Sequence, residues 1–66
     1  MKARVNGELR DLPDGVTVAA VLELLGAPNS GVAVAVDGEV VPRAAWQRTE
    51  VPDGGTVEVL TAVQGG

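Results

Sequence analysis

The residues of this chain that could take part in chemistry are its last three, Gln64-Gly65-Gly66. A carboxylate is a poor electrophile, but adenylation by ATP would turn the Gly66 carboxylate into an acyl group that sulfur or amine nucleophiles attack. Glycine has no Cβ, so Gly65 and Gly66 would fit a narrow enzyme channel. Three extended residues beyond Val63 reach about 10 Å. The sequence therefore predicts a tail that presents the Gly66 carboxylate, with a frayed chain end as the alternative.

The other residue types argue against a catalyst. The chain has no Cys, His or Tyr, so it offers neither an activated nucleophile with its base nor a thiolate ligand. Two acidic pairs, Asp11 with Asp14 and Asp37 with Glu39, lie beside turn glycines and prolines, where carboxylates are ordinary turn residues. A metal-binding or acid–base role for these pairs is the less favoured alternative. We therefore expect a protein that is not an enzyme.

Composition limits the class of protein and its partners. The net charge of −4 and a single aromatic residue, Trp46, disfavour nucleic-acid binding. Without Cys or His, a domain of 66 residues must rest on packing and hydrogen bonds alone. No charged-then-apolar leader and no run of about 18 apolar residues is present. We expect a cytoplasmic protein with no membrane and no nucleic-acid partner.

The first half of the chain predicts a hairpin followed by a helix. Residues 2–5 and 8–12 alternate around Asn6-Gly7, the strongest short signal for a two-residue hairpin turn. Apolar residues then recur at helical spacing, at Val18, Val21, Leu22 and Leu25. Thr17 is suited to cap the start of this helix, and Gly26 is suited to end it in the left-handed conformation.

The second half predicts three further strands, at residues 32–36, 39–41 and 56–63. Residues 32–36 are apolar at every position, as in a strand inside a sheet. Between the last two strands we expect a short helical turn over 43–46 and an edge strand or loop over 47–51. One main helix must then cover one apolar face of a mixed, four- to five-stranded sheet.

This order of elements predicts an α+β fold, and a ubiquitin-like β-grasp has the same order. We expect a β-grasp domain over residues 1–63 and a flexible C-terminal Gly-Gly tail over residues 64–66. No internal repeat or linker suggests a second domain.

Several motifs along the chain resemble one known family. They are the Asn6-Gly7 hairpin, Gly31-Val32-Ala33-Val34-Ala35-Val36-Asp37, Val41-Pro42-Arg43-Ala44-Ala45-Trp46, Asp53-Gly54 before the last strand, and Gly65-Gly66. With these motifs the chain resembles the ThiS family, the sulfur carriers of thiamine biosynthesis, which have the ubiquitin-like β-grasp fold. The Val-Pro-Arg-x-x-Trp element favours this family over other Gly-Gly carriers such as the small subunit of molybdopterin synthase.

The resemblance implies a sulfur-carrying cycle at Gly66. An E1-like adenylyltransferase of the ThiF type, using ATP and magnesium, would adenylate the Gly66 carboxylate, and a persulfide derived from cysteine would supply the sulfur of a thiocarboxylate. A thiazole synthase of the ThiG type would then accept this sulfur for the thiazole ring of thiamine. In this family the nucleotide and metal belong to the partner. The resemblance thus implies no cofactor or metal bound to the carrier and no catalytic residue of its own.

Strand alternation also predicts a partner-binding surface. Leu60 is an apolar residue at an outward position of the last strand, flanked by Glu58 and Ala62, and we expect these three residues to contact a partner. Burial of Leu60 beneath the loop of Trp46 is the alternative. Arg43 is a further candidate contact, or else a solvated charge or a brace near the tail. Trp46 is expected to be a packing residue.

Other functions of the same fold remain open at this point. A sulfur carrier for another pathway, of the molybdopterin type or with another thio-product, would load Gly66 in the same way. A ubiquitin-like protein modifier would join the adenylated Gly66 to lysine side chains. An interaction module would need no chemistry at the tail. The family resemblance favours the sulfur carrier of thiamine biosynthesis.

Overall fold

The computed structural model describes residues 1–27 and 31–61, and its architecture is the predicted α+β one. The elements are, in chain order, β1 (Lys2–Val5), β2 (Glu8–Asp11), α1 (Val18–Leu25), β3 (Val32–Val36), β4 (Glu39–Val41), a 3₁₀ turn (Arg43–Ala45) and β5 (Thr56–Thr61). Within the described residues, no helix is long and apolar enough to cross a membrane.

The strands form one mixed five-stranded sheet in the order β2-β1-β5-β3-β4. β1 and β5 are parallel, with Arg4 opposite Thr56 and Val5 opposite Val57, and the other neighbouring pairs are antiparallel. The last strand in the sequence is therefore the middle strand of the sheet. β3, predicted to lie inside the sheet, does so between β5 and β4. The helix α1 packs on one face, and we call the other face the open face.

One cluster of apolar side chains joins α1 to the sheet. Its most buried members are Val5, Val18, Val21, Val34 and Val57. Three of them belong to β1, β3 and β5, and because strand residues alternate between faces, their neighbours along each strand point to the open face. Full burial of a valine stabilises the fold by about 1.5–3 kcal/mol relative to exposure. The packing of α1 on these three strands is thus the main source of stability.

Both ends of α1 are capped as the sequence predicts. The Thr17 hydroxyl accepts a hydrogen bond from the Ala20 amide at 3.2 Å. Gly26 ends the helix with φ of 68°, and its N–H donates to the Glu23 carbonyl at 3.1 Å. Because a helix of eight residues is unstable alone, these caps and the buried face together hold it.

Trp46 is a packing residue. Its side chain is 8% exposed, and the indole Nε1 donates a hydrogen bond to the Val41 carbonyl at 2.9 Å. The ring is therefore covered and its one polar group is satisfied inside the domain. The 3₁₀ turn after β4 brings this side chain back under α1.

Three turn side chains hydrogen-bond the backbone of a neighbouring strand. Asn6 Oδ1 accepts from the Val59 amide at 2.8 Å, and Asp37 Oδ1 accepts from the Thr56 amide at 2.9 Å. Asp53 Oδ1 accepts from the Lys2 amide at 3.0 Å. Asn6 and Asp37 also have left-handed backbones, with φ of 52° and 49°, which Asn and Asp tolerate better than most residues. These side chains thus form the turn and also continue the pairing of the adjacent strand.

The ends of two strands differ from those predicted. β2 stops at Asp11 and does not include Leu12, whose side chain turns into the core and is 5% exposed. The next residue, Pro13, lacks the N–H that would continue the strand. β5 is described as far as Thr61, and the predicted residues 62–63 lie outside the described residues.

The segment 47–51, predicted as an edge strand or a loop, is a loop that covers the start of α1. An isolated bridge joins Glu50 to Thr17, and the Val51 amide donates to the Val16 carbonyl at 2.9 Å. Val51 is 3% exposed. The polar segment is thus fixed by backbone hydrogen bonds to the residues around the start of α1 and by one buried apolar side chain, rather than by pairing with the sheet.

Replacing Asn6 with alanine is expected to lower the free energy of unfolding by about 2 kcal/mol, because the Val59 amide loses its acceptor and alanine disfavours a left-handed backbone. Asn6→Asp keeps an acceptor oxygen and tolerates the same φ, so its loss should stay below about 0.5 kcal/mol. Urea unfolding followed by the fluorescence of Trp46 measures both. Equal losses in the two variants would contradict the role given to the Asn6 oxygen.

Candidate functional site

The middle strand β5 leads out of the core toward the residues predicted to carry the chemistry. Val57 has no exposed surface, Val59 is half-buried, and Thr61 is exposed. The predicted tail residues and one predicted partner contact lie outside the described residues: Gln64, Gly65, Gly66 and Ala62. Fully extended, the five residues beyond Thr61 would reach at most about 17 Å. An enzyme that takes the Gly66 carboxylate must therefore approach the end of β5.

Apolar side chains lie on the open face beside the end of β5. Leu60 is opposite Ala33, and Ala35 lies between Glu58 and Val40. Leu60 is 67% exposed and Val40 is 75% exposed, which excludes burial of Leu60 beneath a loop. We call Leu60, Ala33, Ala35 and Val40 the open-face patch. It spans β5, β3 and β4, and its Leu60 end is the one closest to the tail.

A shallow depression of about 360 Å³ adjoins this patch. It is lined by the end of β5, at Leu60 and Thr61, and by the start of β3, at Gly31, Val32 and Ala33. The surface nearest the tail is therefore both apolar and indented, as in many binding sites.

Charged residues border the patch on the open face. Glu58 lies next to Ala35, whereas Arg4 lies on β1, beyond β5. A second exposed leucine, Leu9, is 59% exposed and sits opposite Arg4 on β2, two strands from β5. The apolar surface near the tail is thus separated from Leu9 by a basic residue. The structure brings Leu60 and Glu58 together on one face, as the sequence predicts.

Arg43 lies elsewhere, on the helix side of the sheet. It is exposed and lines a groove of about 670 Å³ between the 3₁₀ turn and α1. The groove also includes Leu22 and Glu23 of α1 and the edge of Trp46. A partner that covers the open-face patch would therefore not meet Arg43 on the same face. The expectation that Arg43 contacts a partner stays a prediction.

Three of the four carboxylates in the two acidic pairs contact groups of the fold. Asp11 and Asp14 carboxylates lie 3.7 Å and 3.3 Å from the Met1 amino group, and Asp37 binds the Thr56 amide. Among residues 1–27 and 31–61, no group of three or more His, Cys, Asp or Glu side chains could hold a metal ion. The structural role of these carboxylates is the one that their positions in turns predict.

Besides Ala33 and Ala35, Val40 is a patch residue that the sequence did not single out as a partner contact. It follows Glu39 and precedes the buried Val41, so alternation along β4 would have placed it on the open face. Its position beside Ala35 depends on the register between β3 and β4, which the Asp37-Gly38 turn fixes. No local sequence pattern predicts the hydrogen bond that the Asn6 side chain accepts from the Val59 amide of β5.

Comparison with known proteins identifies close relatives over the whole chain. The chain is 30% identical to the sulfur carrier protein ThiS of Escherichia coli, with both chains covered completely. It is 36% identical to a thiazole synthase of Paramagnetospirillum magneticum, of which it covers only 20%. The crystal structure of the thiamine biosynthesis protein ThiS of Geobacter metallireducens is 36% identical, covers both chains completely and superposes with a TM-score of 0.79. The solution structure of the same protein gives 0.80 with 88% of that chain covered.

One helix across a mixed five-stranded sheet, whose middle strand leads toward two glycines, defines the ubiquitin-like β-grasp class of Gly-Gly proteins. The ThiS family model matches residues 3–66. The chain belongs to the ThiS family. These matches confirm the predicted family, the β-grasp fold and the assignment as a small sulfur carrier protein of thiamine biosynthesis.

Replacing Leu60 with aspartate is expected to weaken binding to an E1-like adenylyltransferase at least about tenfold, because it places a charge in an apolar contact. The free energy of unfolding should change by less than about 0.5 kcal/mol, because the side chain is exposed. Leu9→Asp, on the same face but outside the patch, is the matched control and should bind normally. Titration calorimetry and urea unfolding measure the two quantities. Equal affinities of all three proteins would remove Leu60 from the binding surface.

Proposed function

We propose that the Gly66 carboxylate carries sulfur as a thiocarboxylate, formed after adenylation and consumed by a thiazole synthase. The observation that carries this proposal is the position of β5 in a chain of the ThiS family: the strand is fixed in the middle of the sheet at Val57 and leads to Gly65-Gly66. A tail that is anchored at its base and has no side chains at its tip can enter an enzyme pocket while the domain stays outside.

The loading step replaces one oxygen of the carboxylate with sulfur. At an E1-like adenylyltransferase of the ThiF type, a Gly66 carboxylate oxygen attacks the α-phosphorus of ATP and pyrophosphate leaves. A persulfide sulfur then attacks the acyl carbon, and AMP leaves. A thiol of the sulfur-donating partner breaks the sulfur–sulfur bond, which gives the thiocarboxylate and a disulfide on the partner. ATP and magnesium are bound by the adenylating enzyme, and the carrier itself holds no cofactor.

The delivery step returns the carrier to its starting state. The thiocarboxylate sulfur is a nucleophile. At a ThiG-type thiazole synthase it adds to a carbonyl carbon of the precursor of the thiazole ring, and the carbonyl oxygen leaves as water. Water cleaves the acyl bond and restores the Gly66 carboxylate. In this cycle the protein is a co-substrate without a catalytic residue of its own, and the cycle is cytoplasmic because its adenylating step consumes ATP.

The Paramagnetospirillum magneticum relative supports the thiazole synthase as a partner. A segment similar to the whole of this chain makes up 20% of that synthase. Two modules in one polypeptide meet at an effective concentration in the millimolar range. We assign the same partner, a thiazole synthase, to this chain.

Incubation with the adenylyltransferase, ATP, magnesium and a sulfide source is expected to raise the intact mass by the difference between one sulfur and one oxygen atom. The added mass should map to the Gly66 end in fragment spectra, because only an activated carboxylate exchanges its oxygen. Omission of ATP is the control and should give no change.

Two results of this mass measurement would contradict the proposal. An unchanged mass, with an enzyme preparation that loads another Gly-Gly carrier, would favour an interaction module. Conjugates of this chain with lysine side chains of other proteins, without any thiocarboxylate, would favour a protein modifier.

One alanine appended after Gly66 is expected to abolish thiocarboxylate formation, at least about a hundredfold, because a Cβ enters the channel and the carboxylate is displaced by about 3.5 Å. Gln64→Ala changes the same tail but leaves the carboxylate in place, so it should be loaded at a rate close to that of the natural chain. The initial rate of mass gain distinguishes them. Normal loading of the extended chain would show that the end of the tail is not inserted.

A further inference from the structure

Among residues 1–27 and 31–61, the edge of β5 that faces β1 is covered along only part of its length. β1 pairs with β5 at Thr56 and Val57 and then turns away at Asn6-Gly7. The Asn6 amide donates to the Val57 carbonyl at 2.9 Å, and the Asn6 side chain accepts from the Val59 amide at 2.8 Å. Asn6 thus makes the last described contacts of β1 with β5. Beyond it, β5 continues to Thr61 and is paired on its other side with β3.

The backbone groups beyond Asn6 have a defined direction. Successive residues of a strand point their N–H and C=O groups to opposite edges. The amide of Val59 points toward β1, because it is bonded to Asn6. The Val59 carbonyl and the N–H and C=O groups of Thr61 therefore point to the same edge. This edge is a short row of backbone donors and acceptors on a strand of the sheet interior.

The two outer edges of the sheet are protected in ways that this edge is not. β2 is short and fully exposed, with charged residues Glu8, Arg10 and Asp11. β4 has three residues and is followed by Pro42. Short strands, charges and proline are the usual means by which proteins prevent unwanted strand pairing. The end of β5 has the uncharged residues Val59 and Thr61 instead, so the described part of this edge carries neither charge nor proline.

We propose that the end of β5, residues 59–61, is a docking site for an extended segment of the thiazole synthase, which adds to the sheet as a strand in line with β1. This inference rests on the proposed function, because it assumes that the synthase receives the tail. The synthase must reach the end of β5 to take in the five residues that follow. A strand placed there would continue along the tail and guide it by backbone hydrogen bonds.

The surroundings of the edge fit such a strand. It would lie about 4.8 Å from β5, in the space beyond the Asn6-Gly7 turn. A Cβ built on Gly7 meets no described atom within 4 Å, so the tip of the hairpin is open at that position. Alternate side chains of the added strand would point to the open face, next to Leu60. Main-chain pairing and the open-face patch would then form one continuous interface.

Amide hydrogen exchange of the isotope-labelled chain, alone and with the thiazole synthase of the same organism, tests this proposal. The Thr61 amide is expected to exchange at least about tenfold more slowly in the complex, because it gains an acceptor. The Leu60 amide is an internal reference, because it points to β3 in both states. An unchanged Thr61 rate in a complex that forms would overturn the proposal.

Thr61→Pro removes the N–H that points to the edge. It should weaken synthase binding about tenfold, because the complex loses one hydrogen bond. Leu9→Pro is the matched control. By strand alternation its N–H points outward from the outer edge of β2, so this variant should bind the synthase normally. Cooperative unfolding followed by Trp46 fluorescence shows that both variants fold. Equal binding of Thr61→Pro and the natural chain would contradict the proposal, and the exchange experiment decides it if Thr61→Pro does not fold.

The outcomes separate this proposal from the proposed function. Failure to form a thiocarboxylate contradicts the sulfur-carrying cycle, whereas a loaded carrier that binds the synthase without protecting Thr61 contradicts only the added strand. Protection of Thr61 in the chain alone, together with a doubled mass in sedimentation, would assign the edge to a second copy of this chain and overturn the synthase as its occupant.

Discussion

The parallel pairing of β1 with β5 is the constraint on which the rest of the structure depends. The two strands come from opposite ends of the described chain, and parallel neighbours require a crossover that leaves the sheet and returns. The helix α1 carries the chain from β2, on one side of this pair, to β3 on its other side, and covers one face of the sheet. Residues 42–55 then return the chain from β4 to β5. Val57 lies where β5 is paired on both sides and is 0% exposed. The base of the tail is therefore fixed by the most buried residue of the core.

Coverage by one short helix leaves one face of the sheet packed in the core and the other face exposed. A domain of this size has only about 3–5 kcal/mol of net stability, and the buried valines beneath α1 supply it. On the open face, Leu60 and Val40 are more than half exposed, so their identity has little effect on folding. Residues of the open face can therefore change without a loss of stability in the core.

The features predicted from sequence are those set by local periodicity and turn chemistry. The α1 helix with its Thr17 and Gly26 caps, the Asn6-Gly7 turn and the exposure of Leu60 follow from patterns within a few residues. Features set by contacts between distant strands could not be predicted from these local patterns. Val40 joins Leu60 only through the register of β3 with its two neighbours, and the 3₁₀ turn after β4 carries Arg43 to the helix side, away from Leu60. Residues 62–66, which include the tail, lie outside the described part of the chain. The chemistry assigned to Gly66 therefore rests on sequence and family.

The length of β1 sets how far β5 is paired on that side. The Asn6-Gly7 turn has left-handed backbones at both residues, which restricts this position to residues such as Asn and Gly, and it makes β1 end while β5 continues. A longer β1 would pair with β5 as far as Thr61 and fill the place of any added strand. A shorter one would leave the Val59 amide without the Asn6 oxygen and expose the edge closer to Val57. The same asparagine therefore closes the core at one end and sets where the accessible edge of β5 begins.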